Sequence, residues 1–190
     1  MNDEIAKRRH KESSSPNIRR AKREALRKRD WAEYVWLHDK PNKFGAFVKC
    51  VGRGLSGPEF WKLLGMVWTY VDGQHRDLEM WKEFWRFPFE GRYAAMSEGE
   101  RLRLASLPDR ITVYRGTAQP NDGGLSWTLN RRTAESYARR FEILGRIPFV
   151  MTGIVERDEV FALFNPHGEQ EIVSDRVRIE RVEKLEARAA

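Results

Sequence analysis

The sequence predicts an α+β protein, with an N-terminal helical lobe followed by a mixed or antiparallel β core. Three observations predict it. Aromatic and aliphatic residues recur at helical spacing between Trp31 and Leu107, behind recognisable helix starts. After Pro108 the chain changes to β-branched and aromatic runs separated by turn residues. Among those runs lies a single helical pattern, from Arg131 to about Phe141. The expected organisation is a basic, flexible arm over 1–30, an aromatic-rich helical lobe over 31–107 and a β-rich core over 108–190, with 31–190 as one compact unit.

The arm comes first. Residues 1–30 hold eleven Lys or Arg against five acids, so they account for almost all of the formal net charge of +7 on the 190-residue chain. Ser13-Ser14-Ser15-Pro16 suits a flexible joint. Asn17 to Arg29 suits a helix, though with almost nothing to bury. The plainest expectation is a solvated arm; the sharper one is an arm that meets nucleic-acid phosphates or another acidic partner.

Trp31 to Leu37 starts the folded part, with Trp31, Tyr34, Val35 and Trp36 at roughly helical spacing, and Lys40-Pro41-Asn42 ends it. A glycine-punctuated stretch follows, anchored by Phe44, Phe47 and Val48. Ser56-Gly57-Pro58-Glu59 reads as a capping box with proline in the first turn, opening a helix to about Val71. Asp77 to Arg86 is a second helix, stopped by Pro88. Ser97 and Glu100 form another capping box before a helix to Leu107. The aromatics of these helices read as core rather than as a stacking surface. Strands are expected at Ile111–Tyr114, ending at Arg115-Gly116; at Leu125–Thr128; at Pro148–Val155; at Val160–Phe164; at Glu169–Val173; and, as an edge, at Val177–Leu185. Thr128 or Asn130 caps the helix between the second and third of them.

Composition excludes several classes of function. Cys50 is the only cysteine, so there is no intramolecular disulfide and no Cys-rich zinc site. The four histidines (His10, His38, His75 and His167) lack ligand spacing, and no metal is expected. No signal peptide and no apolar run long enough to span a membrane is visible, which predicts a soluble, cytoplasmic protein. Gly52-x-Gly54 lacks the preceding strand and third glycine of a dinucleotide loop.

Three short motifs carry chemistry. Glu169-Gln170-Glu171 opens a strand, and period-2 geometry would put both carboxylates on one face, about 7 Å apart. Arg115 ends a strand beside Gly116, where a fixed guanidinium could clamp a phosphate. Ser126 and Thr128 present two hydroxyls opposite Trp127. In this order the three motifs resemble the Arg–Ser–Glu group of mono-ADP-ribosyltransferases, of toxin or phage-effector type, over about residues 108–175. Ser-Trp-Thr stands where that group has Ser-Thr-Ser, so Ser126 carries over and Thr128 more loosely.

The resemblance implies the β core of that family and NAD as substrate, with possible NAD glycohydrolase activity as a side reaction. It implies that Arg115 holds the diphosphate and nicotinamide ribose, and that the Ser126 hydroxyl positions Arg115 and Glu171. Glu171 would bind the ribose 2′-OH and stabilise the developing oxocarbenium charge, while Glu169 orients and deprotonates the acceptor. Gly116, Thr128 and Tyr137 fall on the NAD side, Tyr137 as a candidate to stack on nicotinamide, and His167 on the acceptor side. Glu at position 169 implies a protein arginine as target. The alternatives are a nucleic acid or nucleotide as acceptor, a non-catalytic nucleic-acid- or partner-binding protein that uses the arm, or a structural accessory protein.

Overall fold

The computed structural model describes residues 15–119, 124–165 and 168–186. The α+β class holds: among the described residues there are seven α-helices and a six-stranded antiparallel sheet. The chain divides into two compact units. One runs up to Gln74 and includes Pro88–Ala95; the other comprises His75–Phe87 and the chain from Met96 onward.

In the first unit, α1 (Pro16–Lys28) begins where the Ile18 N–H donates to Ser15 Oγ, 3.2 Å. It ends at Arg29, held in the left-handed region at φ 57°. Of the joint expected at Ser13-Ser14-Ser15-Pro16, Ser15 is the cap of this helix and Pro16 its first residue, and Ala25 is buried. Residues 1–14 of the arm lie outside the described residues. Helix α2 (Trp31–Trp36) buries Trp31, Tyr34 and Val35. The first part of the glycine-punctuated stretch is helical: α3 (Lys43–Val51) places Phe44, Phe47 and Cys50 on one buried face, and Gly52 and Gly54 lie in the turn that follows. Gly45 has open space around it, so it weakens this helix only through propensity. Lys43 is buried, and its Nζ donates to the carbonyls of Val35, Trp36 and His38, closing the end of α2. Helix α4 (Gly57–Tyr70) buries Phe60, Trp61, Leu64, Val67 and Trp68, as its periodicity predicts. Ser56, expected to cap it, makes no side-chain cap bond.

In the second unit, α5 (Leu78–Trp85) and α6 (Glu98–Ala105) accompany the sheet rather than the helices before them. Aromatic packing explains the first: Trp85 lies parallel to Phe161 at 6.1 Å between ring centroids and close to Phe164 at 6.2 Å. Met96 and Leu104 pack on the sheet core, and the Ser97–Glu100 capping box that starts α6 is formed.

The strands are β1 (Arg110–Thr117), β2 (Ser126–Thr128), β3 (Phe149–Glu156), β4 (Ala162–Phe164), β5 (Glu171–Val173) and β6 (Arg178–Lys184), in the order β4-β5-β2-β1-β3-β6. Val113, Trp127, Met151, Leu163 and Ile172 form the core on one face. Helix α7 (Arg131–Arg139) covers the other, laying Ala134 and Ala138 against Val150. Gly116 permits that approach, since a Cβ there would stand 2.0 Å from the Ala134 carbonyl oxygen and 2.5 Å from the Ala138 nitrogen. The edge strand β6 carries Arg178, Glu180, Arg181, Glu183 and Lys184, and its register shifts at Thr152/Gly153, features that blunt an open sheet edge. No helix among the described residues is long and apolar enough to cross a membrane.

Candidate functional site

Strand β2 is three residues long, yet it pairs with β1 on one side and β5 on the other. Tyr114 and Glu171 both lie opposite Thr128, and Val173 lies opposite Ser126. Trp127 points into the core, so alternation turns Ser126 and Thr128 to the other face. Residues from three strands distant in sequence meet there.

The Ser126 hydroxyl donates to Glu171 Oε1. Arg115 Nη1 donates to the Ser126 carbonyl oxygen at 2.8 Å. Ser126 therefore touches both charged groups, but it holds Arg115 through its backbone and not through the hydroxyl expected from the sequence. Gly124 seats the guanidinium: a Cβ on that residue would lie 2.1 Å from Arg115 Cζ and 2.2 Å from Nη2. Arg115, Ser126 and Glu171 are all half-buried, which leaves them reachable while their geometry is fixed.

Glu169 reaches the group by a different route from the one its spacing suggests. Strand β5 starts at Glu171, not Glu169, and Gln170 adopts φ 49°. Period-2 alternation therefore does not carry from Glu171 back to Glu169. The chain bends at Gln170, a conformation that costs a non-glycine residue on the order of 1–2 kcal/mol. Three hydrogen bonds hold the bend: the Gln170 N–H donates to Asn165 Oδ1 (3.2 Å), the Leu129 N–H to the Gln170 carbonyl (3.1 Å), and Thr128 Oγ1 to the Glu169 carbonyl (2.7 Å). Asn165 is fixed in turn, its N–H donating to Glu100 Oε1 at 3.0 Å.

Tyr137 of α7 donates its hydroxyl to Glu169 Oε1 at 2.8 Å, and Arg140 lies over its ring, 4.1 Å from the centroid. Burial first, then the Glu169 carboxylate, pushes the Tyr137 phenol up to about 12, so it stays protonated as a donor at neutral pH. Its role here is to hold a carboxylate with its hydroxyl.

Two of the expected ligand contacts have other duties. Gly116 lies beneath the backbone of α7. Thr128 is buried, and its hydroxyl donates to the Glu169 carbonyl and accepts from the Asn130 N–H. His167 lies outside the described residues, as do residues 120–123 of the loop joining β1 and β2. Gly124 and Asn165 complete the arrangement without having been named as site residues, and Gln170, read as the middle of a strand motif, is instead its bend. The one available signal was a glycine placed immediately before the Leu-Ser-Trp-Thr run.

A cavity of about 830 Å³ lies between Gly145–Pro148 and Lys184–Glu186, and none of the site residues above lines it. Among the described residues no group of His, Cys, Asp and Glu could hold a metal ion. No protein family, curated protein or solved structure matches the chain.

Proposed function

We propose that the chain is an NAD-dependent mono-ADP-ribosyltransferase that transfers ADP-ribose to a protein arginine and releases nicotinamide. The observation that carries this reading is the Ser126–Glu171 hydrogen bond at the β2–β5 pairing, with the Arg115 guanidinium fixed beside it on Gly124. One site then holds a rigid cation and a rigid carboxylate. These are the two charges needed to bind a diphosphate and to stabilise a sugar cation.

Arg115 binds the diphosphate of NAD. Glu171, oriented by the Ser126 hydroxyl, accepts a hydrogen bond from the ribose 2′-OH. Its charge opposes the positive charge that builds on C1′ as the bond to nicotinamide breaks, the same problem that glycosidases meet with a carboxylate. Nicotinamide leaves with the bonding electron pair. A guanidinium nitrogen of the target then bonds to C1′ and gives its proton to Glu169. Tyr137 engages one oxygen of Glu169 and leaves the other for the acceptor. A carboxylate pairs best with the planar fork of a guanidinium, which favours arginine over other nucleophiles.

The test is nicotinamide release and labelling of protein arginine by purified full-length chain with NAD. Wild type should release nicotinamide and Glu171→Gln should not. Equal release by the two proteins overturns the proposal.

A further inference from the structure

Helix α1 gathers almost the whole charge of the protein. From Pro16 to Arg29 there are seven Lys or Arg and one acid, Glu24, against a formal net charge of +7 for the entire chain. These charges are not on a loose tail: the helix is capped at both ends and buries Ala25.

Helical geometry puts Arg19, Arg20, Arg23 and Arg27 within an arc of about 100°, over an axial length of about 12 Å. All four are exposed. Glu24 is shared by Arg27 and Lys28, which hold its carboxyl down at about 2. No described acid pairs with Arg19, Arg20 or Arg23. The aliphatic residues Ile18, Ala21, Ala25 and Leu26 are buried or half-buried.

We infer that this arginine face is a docking surface for the phosphate backbone of a nucleic acid. A row of guanidinia about one helical turn apart can engage successive phosphates, each through paired N–H donors. A helix that lies on a lipid surface needs exposed apolar side chains to insert, and here those residues face inward. Contact through phosphates alone gives binding that is indifferent to sequence and sensitive to salt. The inference is independent of the transferase reading, because no residue of α1 belongs to the site on the sheet.

The experiment measures binding of full-length chain to a labelled 20-bp duplex and a 20-nucleotide single strand between 50 and 200 mM salt, with phosphatidylserine vesicles as the competing surface. Wild type should bind both nucleic acids with a steep salt dependence. In the triple variant Arg19→Gln, Arg20→Gln, Arg23→Gln the slope of log K against log salt on duplex should be shallower by about 2.7, from about 0.9 per phosphate contact. Wild type should accordingly lose about 40-fold more affinity than the variant across that fourfold salt range. The corresponding triple Lys variant should keep the wild-type slope. Glutamine is nearly as good a helix former as arginine, and circular dichroism checks the fold. If the triple variant unfolds, Arg20→Gln and Arg23→Gln alone should each lower the slope by about 0.9. An unchanged slope, or binding to the vesicles but not to the nucleic acids, overturns the inference. Nicotinamide release in the same variants should match wild type.

Discussion

Two alanine substitutions, eight residues apart, should behave in opposite ways. At Gly116 an added Cβ meets backbone, 2.0 Å from the Ala134 carbonyl oxygen, and helix α7 must retreat by more than 1 Å to reach ordinary contact. Overpacking of that kind costs about 3 kcal/mol, which for a chain of this size lowers Tm by about 6–12 °C. At Gly124 the added Cβ first meets the far end of the Arg115 side chain, 2.1 Å from Cζ. A guanidinium can swing aside where backbone cannot, so Gly124→Ala should cost less stability than Gly116→Ala. What it loses is the position of the cation. If Arg115 binds the NAD diphosphate, removing that charge-assisted contact should weaken NAD by about 10- to 100-fold. Thermal melts and NAD titration of the two variants separate the effects. A Gly116→Ala melt within about 2 °C of wild type would show that α7 does not depend on this seat. Wild-type NAD binding by Gly124→Ala would refute the role given to the Arg115 position.

Three further predictions concern single groups. Tyr137 is protonated in the fold up to about 12 against 10.0 for the free phenol, so the folded state binds the extra proton in that window and stability falls as pH rises from 10 to 12. Tyr137→Phe should melt with a shallower pH dependence there, and equal slopes would show that the phenol is not what titrates. Arg29→Gly removes a side chain from the left-handed residue that closes α1, and should stabilise by roughly 1 kcal/mol, read as a higher Tm. Cys50 is fully buried and burial pushes its thiol up to about 11, so a thiol reagent at pH 8 should label it slowly in the native protein and rapidly in urea.

The sequence was most informative where one physical rule dominated. The stripe of Phe60, Leu64, Val67 and Val71 predicted α4, and the Ser97–Glu100 pair predicted the start of α6, because burial and capping each act within a few residues. The α3 helix was hidden by Gly45, whose poor propensity is outweighed by the buried face of Phe44, Phe47 and Cys50. At the site, the types and order of Arg115, Ser126 and Glu171 were readable, and the resemblance implied the contact of the Ser126 hydroxyl with Glu171, but the way Arg115 is held was not readable. The Ser126 carbonyl, the seat at Gly124 and the bend at Gln170 are backbone features, set by tertiary hydrogen bonds that no local pattern encodes. The same holds for α5, whose attachment to the sheet comes from Trp85 stacking on Phe161.

The pairing of β2 with β5 also sets when the site can exist. Ser126 and Glu171 are 45 residues apart, whereas the bonds that start α1 and α6 span three. Local turns can close within microseconds, but a non-local ladder must first meet the entropy of its long loop. A nascent chain that has not yet delivered β5 carries Arg115 and Ser126 without the carboxylate that completes them. Assembly of the site should therefore follow the local turns, and its appearance during refolding should report closure of the sheet.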